Sequence, residues 1–169
     1  DVPDAFIDQV FAVMARAKRH TFQVLTKRAD RMRAYVAHAD VRWRAACEEE
    51  RLNWAEDVAD DVDMSDVDLE HWPLPNVWLG VSVEDQKRAN ERIPLLLQTP
   101  AAVRFISAEP LLGPLDLEDL VMPGDEWHVD ALACDVDVRD DEPFEGAILN
   151  WVIVGGESGH GARPCDVAW

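Results

Sequence analysis

Four short apolar runs, each halted by small or charged residues, set the terms on which this chain can fold. Thr21–Leu25 stops at Thr26-Lys27-Arg28, and Val77–Val83 stops at Glu84. Val103–Ile106 stops at Ser107-Ala108-Glu109, and Trp151–Val154 stops at Gly155-Gly156-Glu157. Each run is too short for a helix and rich in Val, Ile, Leu, Phe or Trp, as a strand buried on both faces should be. Helical patterns separate the first three. Strands alternating with helices predict an α/β fold of parallel βα units. A charged group just past a buried strand stands at its carboxyl end, where parallel α/β folds build their sites.

The helical patterns can be placed. Asp4 to Lys18 reads as amphipathic, with Phe6, Val10, Val13 and Met14 on one face and Asp4 as a cap. A second helix begins near Ala29-Asp30 and carries Met32, Tyr35 and Val36, with room to continue towards Trp54. Glu84 to Gln98 forms a third, capped by Asp85, with Ile93, Leu96 and Leu97 on its apolar face and Pro94 inside. Leu115–Leu120 suits a short helical turn, and the last strand spans Leu149–Val154. Four parallel strands are too few to close a barrel of eight. A barrel parent would make this chain an incomplete arc of a TIM-like barrel, its edge strands needing cover from an upstream segment or a second chain.

The 169 residues suffice for one domain with a sizeable core. Charge divides them unevenly. Of a formal net charge of −18, residues 48–70 carry −10 and residues 116–145 carry −11, so the remainder is mildly basic. These two segments read as acidic loop insertions, either interaction surfaces or solvating loops. Lys is rare beside Arg, and Asp outnumbers Glu. That bias fits a salt-adapted cytoplasm and a high-GC genome equally well. No stretch approaches the roughly 18 unbroken apolar residues of a membrane span. The chain opens Asp1-Val2-Pro3-Asp4, with no basic region leading an apolar segment and no initiator Met. A cytoplasmic location is the expectation, and the chain reads as a piece of a longer one or as a processed product. Cys47, Cys134 and Cys165 form no CxxC pair and no metal-ligand spacing, so reduced thiols are expected.

The candidate site residues follow from the strand ends. Glu84, Glu109 and Glu157 come from three strands, and in a parallel sheet their carboxylates can converge to bind a ribose, an amine or a metal. The plainer alternative is that each caps a helix or pairs with an Arg. Glu109-Pro110-Leu111-Leu112-Gly113-Pro114 is a rigid connection that suits a side chain held in place, or simply a tight turn. Gly155-Gly156-Glu157-Ser158-Gly159-His160-Gly161 lets a ligand approach the backbone closely, although it is neither GxGxxG nor a Walker loop. Lys27 and Arg28 can balance the glutamates or meet an anionic ligand, as can Arg163. Trp78 and Trp151 read as core. No Ser/His/Asp elbow, HExxH motif or basic stretch interleaved with aromatics is present, so there is no direct nucleic-acid signal.

Four ordered phrases resemble one family. They are His20-Thr21-Phe22-Gln23-Val24-Leu25-Thr26-Lys27-Arg28, Pro75–Glu84, Ser107-Ala108-Glu109-Pro110-Leu111-Leu112-Gly113 and Trp151–Gly159. Together they look like a phage-related family of unknown function, usually labelled by phage gene products thirty-seven and sixty-eight. Its members resemble radical S-adenosylmethionine enzymes. The resemblance implies a whole or partial TIM-like barrel and a three-cysteine iron–sulfur motif in sequence upstream of this chain. It also implies S-adenosylmethionine as cofactor and a cofactor or substrate face of Lys27, Ser82, Glu84, Ser107, Glu109, Gly155, Gly156 and Glu157. None of the three cysteines here stands in for the cluster motif. A non-enzymatic alternative is a phage-derived degenerate barrel acting as a binding module. Metal-dependent hydrolysis by the carboxylates is the third.

Overall fold

The computed structural model describes residues 2–48, 72–121, 128–133, 147–166 and 168–169, with the side chains of 40–48 left aside. Most of the two acidic segments, Cys134 and any helix beyond Glu48 lie outside the described residues. The elements run α1 (Asp4–Arg16), β1 (Phe22–Thr26), α2 (Ala29–Glu48), β2 (Val77–Ser82), α3 (Gln86–Leu97) and β3 (Val103–Ala108). They continue with β4 (Leu120–Val121), β5 (His128–Val129) and β6 (Trp151–Val154). Strands β1-β2-β3-β6 form a four-stranded sheet in that order, every pairing parallel; β4 and β5 make a small antiparallel pair. The protein is thus a mixed α/β fold with a parallel sheet.

Strand order that follows chain order, joined by right-handed crossovers, puts the crossover helices on one face of the sheet. The burial pattern agrees. Thr26, Val81, Ile106 and Val152 lie in one register row, and Val81 and Ile106 are fully buried with Ile93, Leu96 and Leu97 of α3. Each such side chain contributes about 1.5–3 kcal/mol by leaving water. The adjacent row, Leu25, Gly80, Phe105 and Trp151, points to the opposite face. There the Phe105 ring lies across Gly80, where a Cβ would come within 2.5 Å of it. Trp151 meets both Trp78 and Phe105 with ring centroids 5.6 and 6.4 Å apart.

Helix α1 runs in the same sense as the crossover helices. Its amino end is held at the start of α2, where Arg31 donates to Asp4 and to the carbonyl of Val2. Its carboxyl end is tied to the amino end of the sheet, where the Asn76 amide donates to the carbonyls of Met14, Ala17 and His20. Between these ends Phe11 packs on Tyr35, whose hydroxyl donates to buried Asp8 at 2.5 Å.

Several expectations are corrected. The buried face of α1 is Asp8, Phe11, Ala12, Met14 and Ala15, so of the four predicted residues only Met14 is inside. Phe6, Val10 and Val13 form an exposed stripe, because α1 turns its other apolar face towards α2. Asp4 does not cap α1; the N-cap is Pro3, and Asp4 is held by Arg31. Only β2 and β3 are buried on both faces. The edge strands expose Leu25 (47%), Trp151 (43%) and Val154 (58%), since each has a single neighbour. Leu115–Leu120 is not helical: Asp116 Oδ1 accepts from the amides of Glu118 and Asp119, and the chain enters β4. The last strand starts at Trp151, two residues later than expected. Asp85 caps α3 as expected, accepting from the Arg88 amide at 2.8 Å, and the helix continues through Pro94. No helix among the described residues is long and apolar enough to cross a membrane.

Candidate functional site at the carboxyl edge of the sheet

Parallel pairing brings the four strand ends to one side. Along that edge stand Lys27 after β1, Ser82 and Glu84 at β2, Ser107 and Glu109 at β3, and Gly155, Gly156 and Glu157 after β6. Ser82 and Ser107 are direct register partners, and both are buried. The sheet therefore brings these eight residues to one edge. Their individual surroundings differ sharply.

Glu84 is neutralised within the fold. Its carboxylate meets Lys27 Nζ at 2.5 Å and Arg92 Nη1 at 3.0 Å, and Arg92 also donates to the Ser82 carbonyl at 2.7 Å. Burial pushes the Glu84 carboxyl up, but the Lys27 hydrogen bond and the Arg92 and Lys27 charges outweigh it, leaving the group below its ordinary value. Glu157 is likewise satisfied. It accepts from the Arg163 backbone amide at 2.9 Å and from its Nε and Nη2 at 2.8 and 3.0 Å. Those bonds hold its carboxyl down at about 2. The glycine-rich segment is thereby closed by its own ion pair, and Arg163 meets this internal carboxylate.

Glu109 differs from both. Ser107 Oγ donates to its Oε2 at 3.1 Å, and among the described residues no cation bridges it. Its carboxylate lies against Gly155, where a Cβ would come within 2.5 Å of Oε1 and 3.0 Å of Cγ. Glycine at 155 is what leaves space for this side chain. The connection that follows is pinned on both sides: Leu111 N–H donates to the Gly155 carbonyl and Leu112 N–H to the Glu84 carbonyl, each at 2.9 Å. The Glu109–Pro110 bond is cis. The result is an exposed, fixed carboxylate above a buried serine pair, with Phe105, Trp78 and Trp151 deeper on the same face. Such a group is suited to accept hydrogen bonds from an ammonium or a pair of hydroxyls.

The three glutamates do not act as one acidic cluster. Among the described residues no group of three or more His, Cys, Asp or Glu side chains is placed to hold a metal ion. Cys165 is half-buried, its Cβ 3.1 Å from where a Cβ of residue 156 would stand, and it is the one cysteine whose side chain is described. A single thiol does not make an iron–sulfur ligand set.

Arg92 is the residue that sequence reading missed. It lies beside the buried row Ala89, Ile93, Leu96 and Leu97 of α3. Eight residues on from Glu84, it is two helical turns along the helix that Asp85 starts. The Asp85 cap fixes that phase, so the signal was present but local patterns gave no reason to look for it.

Neither a curated protein nor a solved structure matches the chain. A family-level match extends over all of residues 1–169, and by it the chain belongs to the family described as "Protein of unknown function (DUF5131)".

Proposed function

We propose that the carboxyl edge of this sheet binds S-adenosylmethionine, or a ligand with the same ammonium and ribose groups, in a radical S-adenosylmethionine-like protein. In this reading the βα units are an arc of a TIM-like barrel, and the phage-related family of the four phrases is the relevant kinship. The observation that carries it is Glu109. Glu84 and Glu157 have their counter-ions within the fold, whereas Glu109 is presented by Ser107 and Gly155 with no cation beside it among the described residues. In this role Glu109 accepts from the ligand, Ser107 orients it, and Ser82 lies next in the row. Gly155 and Gly156 admit the ligand to the backbone. Lys27, Glu84 and Arg92 hold the neighbouring strand end, and Glu157 with Arg163 holds the glycine segment. An iron–sulfur cluster would supply the electron that radical chemistry requires. The described residues do not fit such a cluster, since Cys165 is the one cysteine side chain among them.

Calorimetric titration of the chain with S-adenosylmethionine tests this. Losing a charge-assisted hydrogen bond costs about 1.5–3 kcal/mol, so Glu109→Gln should weaken binding roughly tenfold or more, with Glu157→Gln close to wild type. No heat from the wild-type chain, or equal affinity in Glu109→Gln, overturns the proposal. Exposed Leu25, Trp151 and Val154 favour a second reading, a non-enzymatic binding module, which a chain indifferent to the ligand would support.

A further inference from the structure

The face of the sheet turned away from the helices carries an aromatic platform below the strand-end residues. Trp78, Gly80 and Ser82 alternate onto it from β2, Phe105 and Ser107 from β3, and Trp151 from β6. Three distal atoms of the Phe105 ring lie within 2.6 Å of where a Cβ at residue 80 would stand, so the ring lies flat on Gly80. Trp151 reaches over β3 to Trp78 of β2, with ring centroids 5.6 Å apart and ring planes at 84°. Phe105 and Trp78 thus hold the Trp151 ring, yet that residue stays 43% exposed. A large apolar ring fixed in place and left in water can serve as a stacking platform.

The row above the platform holds a second observation. Ser82 is only 7% exposed, and among the described residues its hydroxyl has no hydrogen-bond partner. Its register partner Ser107 donates to Glu109 instead. A hydroxyl buried this deeply without a partner is costly, so it calls for a group that completes it. Two strand spacings and one two-residue rise separate Trp151 from Ser82, about 12 Å between their Cα atoms. The Trp151 side chain covers part of that distance, and a fused two-ring system covers the rest. Charge narrows the occupant further. Lys27 and Arg92 are held by Glu84 and Arg163 by Glu157, while Glu109 stands above this row with no bridging cation among the described residues. An anionic ring is repelled there, and a neutral or cationic one is not.

We infer that this face binds a neutral or cationic fused two-ring heteroaromatic molecule that carries a ring N–H, of the indole or purine kind. Its face stacks on Trp151, and its N–H donates to Ser82 Oγ. Under the radical reading above this molecule is the substrate, and that designation alone rests on that reading. The binding itself stands apart. It uses Trp151 and Ser82, whereas S-adenosylmethionine binding is carried by Glu109, so either can fail without the other.

Calorimetric titration of the chain with indole and with purine, each beside its N-methylated derivative, tests the inference. One of the two parent rings should bind with a Kd of about 1 mM or tighter, and the tighter one names the class. Its N-methylated derivative and its carboxylate derivative should each bind about tenfold more weakly. Trp151→Leu should weaken the parent ring at least about tenfold. Ser82→Ala should erase the preference for the N–H form, while Glu109→Gln keeps the ring affinity within about threefold. Urea unfolding identifies a Trp151→Leu chain that has lost its fold, and the N–H preference in wild type against Ser82→Ala then decides. Neither ring binding below about 10 mM overturns the inference. So does an N–H preference that survives Ser82→Ala, or a folded Trp151→Leu chain that binds as wild type. Ring affinity that falls as protein concentration rises would put a second copy on this face and overturn it too.

Discussion

Strands β2 and β3 are neighbours, both deeply buried, and each runs through a serine at the same register into a glutamate two residues on. Their glutamates nonetheless face opposite circumstances. Glu84 is clamped between Lys27 of one neighbouring connection and Arg92 of the following helix, whereas Glu109 takes a hydrogen bond from Ser107 and rests on Gly155. A strand-end carboxylate is therefore not in itself a site. The partners that the next helix and the next strand bring to it decide whether it holds the fold together or is presented to a ligand.

The contrast can be broken from beneath. Gly80→Val places a side chain where the Phe105 ring lies and disturbs the floor shared by both strand ends. Overpacking of this kind should cost about 3 kcal/mol in urea unfolding, the upper end of its range, and should lower ligand binding too. A variant of wild-type stability would mean that Phe105 is not fixed across Gly80.

Glu84→Gln sharpens it. Removing a carboxylate held by one exposed and one largely buried cation should cost about 2 kcal/mol, between the values for surface and buried pairs. Glu109→Gln should change stability by less than about 0.5 kcal/mol. The folded value of Glu84 lies below its ordinary 4.5, so its contribution is complete above that pH and is lost as pH falls through the folded value. Unfolding measured from neutral pH down to about pH 3 should show a shallower acid limb in Glu84→Gln than in wild type. Equal stability losses in the two variants would erase the distinction.

Gly155→Ala produces a small change in stability and a clear change in site. Its Cβ meets the far end of a side chain that can move aside, so unfolding should shift by less than about 1 kcal/mol. Glu109 would be displaced from Ser107 in the process, and S-adenosylmethionine binding should weaken. A variant that binds as wild type would show that the contact between residues 109 and 155 does not set the position of the carboxylate.

The sheet was legible because each strand is a compact apolar run bounded by polar residues, and that signal is local. Strand limits fell within one or two residues, and the Asp85 cap placed α3. The solvent faces were harder to read. Phe6, Val10 and Val13 satisfy the same helical spacing as Phe11, Met14 and Ala15, and the choice depends on Tyr35 reaching Asp8 from another helix. Exposure of Leu25 and Val154 depends on which strands are edges, which no run of residues records. The strand-end residues of the candidate site were legible as residue types in position. Their division into clamped and unclamped carboxylates was not, because Arg92, Arg163 and Ser107 act through distances set by the fold.

The two amides that follow Pro110 have an evolutionary consequence. Leu111 and Leu112 fasten one connection to the strands on either side, so Glu84, Glu109 and Gly155 share a common yoke. Inserting a residue between Glu109 and Leu111 would unfasten both neighbours at once, whereas length added after Gly113 escapes the yoke altogether. Kin of this protein should therefore vary in size downstream of that glycine and hold the spacing from Glu109 to Leu112 constant.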